Sequence, residues 1–133
     1  MTKAVNVNLI NGIALAFEGD AVYSMYIRRY LILAGQTKPQ QLHRLTTHYV
    51  SAKAQAMLIN LMLEEGLLTE KEQEIYKRGR NARSNTKAKN TDIISYKMST
   101  GFEAVMGYLH MTQQIERLEE LINWCITKVE EDN

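Results

Sequence analysis

Apolar residues recur along the chain at intervals of three and four, with no sustained alternation of the kind a strand requires. In residues 8–33, Leu9, Ile13, Phe17, Ala21, Ile27 and Leu31 fall near a 3.6-residue period. That spacing predicts one long first helix with this stripe toward the core. Gly35 is placed to end it. Lys38-Pro39 opens a short second helix, since a proline in the first turn has no hydrogen bond to lose. Residues 51–65 predict a third helix on Ala54, Met57, Leu58, Leu61 and Met62, closing at Gly66. Thr69-Glu70-Lys71-Glu72 has the form of a capping box and starts a fourth helix, which should dissolve near Gly79. A fifth is predicted over about 92–111. The sixth, over about 114–131, has the stripe Ile115, Leu118, Ile122, Cys125, Ile126 and Val129. No internal repeat appears, and the reading is an all-α domain of five to seven helices.

Composition narrows the class. At 133 residues there is room for one domain, here 1–133. Scaling laws give roughly 7,000 Å² of folded surface against about 22,000 Å² unfolded, enough burial for a core without disulfides. One proline and seven glycines argue against a turn-rich β-sandwich. The single cysteine, Cys125, cannot form an internal bridge and suits a reducing compartment. Asn6, Asn8 and Asn11 interrupt any leader-like apolar run. Residues 21–34 are too short to span a bilayer and carry Arg28 and Arg29. A cytoplasmic location and no membrane partner are expected.

Net charge is only +1, yet the charges are segregated. Lys77, Arg78, Arg80, Arg83, Lys87, Lys89 and Lys97 face only Asp92 across their stretch, while the last eighteen residues hold six acids against Arg117 and Lys128. Residues 80–91, polar and nearly free of apolar side chains, read as a mobile basic loop. Such one-sided charge points to a polyanionic partner.

Two carboxylates stand out. Asp20 lies on the apolar stripe of the first helix, and Glu103 sits among Phe102, Ala104, Val105 and Met106. A buried carboxylate is unfavourable by several kcal/mol unless paired, protonated or bound to a cation. Gly19 precedes Asp20 and Gly101 lies two before Glu103, so two helices meeting at these glycines would bring both acids together. Oxygen-only ligands suit Mg²⁺ or Mn²⁺ rather than zinc. The bland alternative pairs Asp20 with Arg28 or Arg29 and leaves Glu103 exposed.

Gly19-Asp20-Ala21-Val22, followed some eighty residues later by Phe102-Glu103-Ala104-Val105-Met106-Gly107, resembles the catalytic domain of ribonuclease III. The short length, Asn11-Gly12 and the basic loop are similar to its mini-ribonuclease III branch, which lacks the double-stranded-RNA-binding domain. The resemblance implies a homodimeric, Mg²⁺-dependent endonuclease for which Mn²⁺ can substitute. It implies cleavage of double-stranded RNA to 5′-phosphate and 3′-hydroxyl ends. For that branch it also implies maturation of precursor large-subunit (23S) ribosomal RNA, with a ribosomal protein as a possible presenting partner. Asp20 and Glu103 match the family's metal-binding acids. Ala16 and Thr100 stand where the family usually has a glutamate and an aspartate. Thr100, one turn before Glu103, is a candidate to hold a metal-bound water. Alternatively its hydroxyl is satisfied by the preceding turn. Arg78, Arg80, Arg83, Lys87 and Lys89 are the expected RNA contacts, since A-form RNA is read through phosphates and shape.

Other candidates are weaker. His43 and His48 miss the i, i+4 spacing of a metal pair. His110 reads as a satisfied helix histidine or a neighbour of the site, and Cys125 as inert core. The rival function is a catalytically inactive helical RNA-binding or scaffold protein of the same fold, favoured by the replacements at Ala16 and Thr100.

Overall fold

The computed structural model describes residues 5–83 and 92–132. A 3-10 turn, Val7–Leu9, precedes six α-helices: α1 Gly12–Leu33, α2 Pro39–Val50, α3 Ala52–Glu64, α4 Glu70–Arg80, α5 Ile93–Met111 and α6 Ile115–Asp132. Among the described residues there is no strand. The basic loop expected over 80–91 lies outside the described residues from 84 onward; Arg80 itself ends α4.

The helix ends follow from local chemistry. Asn11 accepts from the Ala14 amide and starts α1, so the first helix does not run unbroken from residue 8. Gly35 and Gly66, at φ 101° and 65°, end α1 and α3. Their own and the following amides bond back into the last turn, a geometry that favours glycine. At the end of α5, Gln113 takes the same left-handed conformation, at φ 59°. The Thr69 capping box is complete, and its glutamate has a second task. Buried Glu72 also accepts from Arg117 of α6, Oε1 from one terminal nitrogen at 2.8 Å and Oε2 from Nε at 2.9 Å. Burial alone would raise the Glu72 carboxyl pKa; Arg117 and the cap outweigh it and hold the group below its usual range.

Helix α5 is the centre of the fold, packed against α1, α3 and α4 and buried on most of its circumference from Gly101 to Leu109. Close approaches at glycines set its neighbours. A Cβ at Gly19 would stand 1.7 Å from the Glu103 carbonyl oxygen, and one at Gly107 would stand 1.9 Å from the Leu15 carbonyl oxygen, so α1 and α5 touch backbone to backbone. Gly79 and Gly101 bring α4 against α5 in the same way, and Gly12 rests on the end of α4. The glycine partner of Gly19 is therefore Gly107, and Gly101 packs on Tyr76 of α4.

The expected stripe holds in the second half of α1, at Ile27 and Leu31, and fails in the first. Leu15, Ala16, Gly19, Val22, Tyr23, Ile27 and Leu31 face the core. Leu9 and Phe17 are 81% and 83% exposed, and Ile13, Ala21 and Met25 also face outward. Both sides of α1 are apolar, so periodicity had two solutions, and the glycine crossing selects the one with Gly19 inside. Among the described residues no helix is long and apolar enough to cross a membrane.

Candidate active site

The Gly19–Gly107 crossing places Asp20 of α1 beside Glu103 of α5. The Asp20 carboxylate is within hydrogen-bonding and Coulomb reach of Glu103. The two acids differ in setting. Asp20 is exposed, contrary to its expected burial, whereas Glu103 is largely shielded behind the crossing. Desolvation first, then the neighbouring Asp20, push the Glu103 carboxyl up to about 8. Among the described residues Asp20 forms no ion pair with Arg28 or Arg29; the Arg29 guanidinium lies over the Tyr26 ring at 4.8 Å.

Below the acids, Tyr23 and Phe102 stack edge to face at 4.9 Å between ring centroids. The Tyr23 hydroxyl donates to the Tyr49 carbonyl at 3.1 Å, which ties α1 to α2 beneath the site. A third polar group was not recognised from the sequence. Gln55 of α3 is buried and donates from Nε2 to Glu103 Oε2 at 3.3 Å and to the Val50 carbonyl at 3.2 Å. In the chain it shares an i, i+3, i+4, i+7 pattern with Leu58, Ile59 and Met62, one amide in an apolar stripe.

The remaining predicted residues fall elsewhere. The Thr100 hydroxyl donates to the Tyr96 carbonyl at 3.1 Å, the bland alternative for that residue. Ala16 is core. Glu18 turns away from Asp20 and pairs with His110 Nδ1 at 2.6 Å. Cys125 is fully buried, and burial pushes its thiol far above the usual range, consistent with an inert core role. Arg78 donates to the carbonyls of Asn8 and Ile10 and to Glu74, clamping the N-terminal turn against α4. Arg80 lies over the Tyr76 ring at 5.5 Å, and Arg83 is exposed. Lys87 and Lys89 lie outside the described residues.

A second basic stretch of the chain stands out. Residues 21–63 carry Arg28, Arg29, Lys38, Arg44 and Lys53 and no aspartate or glutamate. Between α1 and α2 lies a groove of about 390 Å³ whose walls include Arg28 and His43 but are mostly apolar, through Ile32, Pro39, Leu42 and Val50.

The donor set fits a hard cation. Two adjacent carboxylates, one largely shielded and carrying a raised pKa, are stabilised when a divalent ion replaces the proton that Glu103 otherwise keeps. Among the described residues no group of three or more His, Cys, Asp or Glu forms a metal cluster, so the remaining ligands of such an ion would be water.

Residues 13–114 match the Ribonuclease III domain family. Mini-ribonuclease 3 of Streptococcus pneumoniae is 75% identical over 126 residues, covering 95% of this chain and 98% of that one. Mini-ribonuclease 3 of Enterococcus faecalis is 64% identical, covering 93% and 94%. A crystal structure of a Fusobacterium nucleatum protein superposes with a TM-score of 0.81 at 26% identity, covering 94% of this chain and 98% of that one. The chain therefore belongs to the Ribonuclease III domain family, beside the mini-ribonucleases 3, and is an endoribonuclease acting on double-stranded RNA.

Proposed function

We propose that the chain is a Mg²⁺-dependent endonuclease, active as a homodimer, that cuts double-stranded RNA to 5′-phosphate and 3′-hydroxyl ends with Asp20 and Glu103 as its metal-binding catalytic pair. The observation that carries this reading is the meeting of those two carboxylates across the α1–α5 glycine crossing. Bound there, the cation supplies a water of lowered pKa and Lewis-acid stabilisation of charge on the phosphate; Mn²⁺ can take the same place. The protein's own part is positional. Asp20, exposed, offers its carboxylate toward the substrate side. Glu103, held from behind, keeps the second carboxylate fixed, so no reorganisation is needed when the phosphate arrives. Duplex RNA incubated with Mg²⁺ should be cut by the wild type and left intact by Asp20→Asn, which still binds it. Binding without cleavage by the wild type in Mg²⁺ or Mn²⁺ would instead support an inactive RNA-binding protein of this fold.

The outward face of α1 supports the homodimer. Leu9, Ile13, Phe17 and Met25 leave an apolar surface beside Asp20 that a lone monomer would expose to water. A two-fold dimer across it would carry one acid pair per strand of a duplex. Phe17→Asp should shift the protein to monomer in sedimentation equilibrium without altering its helical content.

RNA contact is assigned to Arg80, Arg83, Lys87 and Lys89, together with Arg28 at the groove between α1 and α2. Arg78 is better read as the clamp described above, because its guanidinium is already engaged. Replacing Arg80, Arg83, Lys87 and Lys89 by alanine should weaken duplex binding. It should also flatten the log–log salt dependence by up to about 3–4, since each lost phosphate contact removes roughly 0.9. The natural substrate on this reading is precursor 23S ribosomal RNA, processed in the cytoplasm and presented with or without a ribosomal protein. Mapping ribosomal RNA ends in cells lacking the protein tests that assignment.

A further inference from the structure

We propose that Gln55 is a positioning residue of the cation site: it holds the Glu103 carboxylate toward Asp20 and offers its own side-chain oxygen to a water of the cation's hydration shell. This rests on the reading of Asp20 and Glu103 as cation ligands. Gln55 is 1% exposed, on a helix face otherwise made of Leu58, Ile59 and Met62. A carboxamide is unfavourable in such a place unless its hydrogen bonds are met, so its presence asks for a polar reason.

The contacts fix which end of the amide is which. The Val50 carbonyl can only accept, so the group 3.2 Å from it is the NH₂. The same nitrogen reaches Glu103 Oε2 at 3.3 Å. One proton thus anchors the amide to the break between α2 and α3, and the other steadies the carboxylate. Both donors are spent, and Oε1 is left over. It is a buried acceptor without a hydrogen-bond partner, alone in this among the described side chains.

The leftover acceptor has a use at a two-carboxylate site. Ala16 brings no oxygen, and the Thr100 proton is committed to Tyr96. A hard cation held by Asp20 and Glu103 alone keeps several waters, and ordered waters need acceptors around them. Gln55 Oε1 is a buried acceptor in the side chain that already holds Glu103. Outer groups of this kind fix the orientation of metal ligands and commonly change metal affinity 10–100-fold when removed.

The test is Mn²⁺ binding to the full chain, followed by the electron paramagnetic resonance signal of the free ion, with circular dichroism melts in the absence of metal. Gln55→Met keeps the side-chain length without polar atoms. Gln55→Asn keeps the amide but is one methylene too short to reach Val50 and Glu103 together. Both should melt cooperatively with wild-type helical content and bind Mn²⁺ at least about tenfold more weakly than wild type. Affinity within twofold of wild type in either folded variant overturns the role of Gln55 and leaves the carboxylate pair standing. Equal Mn²⁺ binding by wild type and Asp20→Asn overturns the cation site itself, and Gln55 with it.

Discussion

Glu103→Gln should abolish cleavage and at the same time make the metal-free protein more stable at pH 8. The sign follows from the raised carboxyl. Unfolded, Glu103 loses its proton near 4.5; folded, it keeps the proton up to about 8, because burial and Asp20 oppose its charge. Below 4.5 both states are protonated and the group has no effect on stability. Between 4.5 and 8 the unfolded chain releases the proton and the folded one does not, so wild-type stability falls as pH rises through that window. The loss by pH 8 is on the order of 3–5 kcal/mol, an upper bound given the partial exposure of the pair. Glutamine stays neutral, accepts from Gln55 through its oxygen and donates to Asp20 through its nitrogen. Thermal melts without metal should therefore coincide for the two proteins near pH 5 and separate by pH 8, with the variant higher. Added Mg²⁺ should raise the wild-type transition and leave the variant where it was. A variant that melts below wild type at pH 8 would contradict this account of Glu103.

Gly19→Ala and Gly107→Ala should be the most damaging small substitutions in the chain. A methyl at Gly19 would lie 1.7 Å from the Glu103 carbonyl oxygen, and one at Gly107 would lie 1.9 Å from that of Leu15. Neither obstacle is a flexible side-chain tip, so the helices themselves must separate. Overpacking of this kind costs about 3 kcal/mol or more when backbone has to move. The same movement draws Asp20 away from Glu103, and a misplacement of about 1 Å lowers activity on the order of 100-fold. Gly66→Ala is the informative control. Nothing lies within 4 Å of its would-be Cβ, and only the positive φ penalises the change. It should cost roughly 1–2 kcal/mol and leave turnover per folded molecule unchanged. Melting curves and single-turnover cleavage of duplex RNA, measured on the three variants, check both effects.

The sequence carried most of this architecture because helix ends are local. Asn11, Pro39, Ser51, Thr69 and Asp92 each start a helix within a residue or two of where capping chemistry puts it, except for the premature start assigned to the first helix. Which face of α1 turns inward was not local. Leu9, Ile13 and Phe17 are as apolar as Leu15, Val22 and Ile27, and the choice between them is made by a contact ninety residues away, at Gly107. The acid pair was legible as two misplaced carboxylates, but which of them is shielded depended on that same rotation. Gln55 escaped notice because one amide in an apolar stripe has no chemistry until its neighbour is known to be Glu103. Arg78 looked like surface charge, and only the fold of residues 8–10 back onto α4 gives its guanidinium internal partners.

Anomalous diffraction from crystals of the wild-type protein soaked in Mn²⁺ decides whether Asp20 and Glu103 share one cation. A single strong peak per acid pair is expected, with a carboxylate oxygen of Asp20 and one of Glu103 both in its coordination shell. Manganese bound elsewhere, with those two side chains sharing no metal, would contradict it.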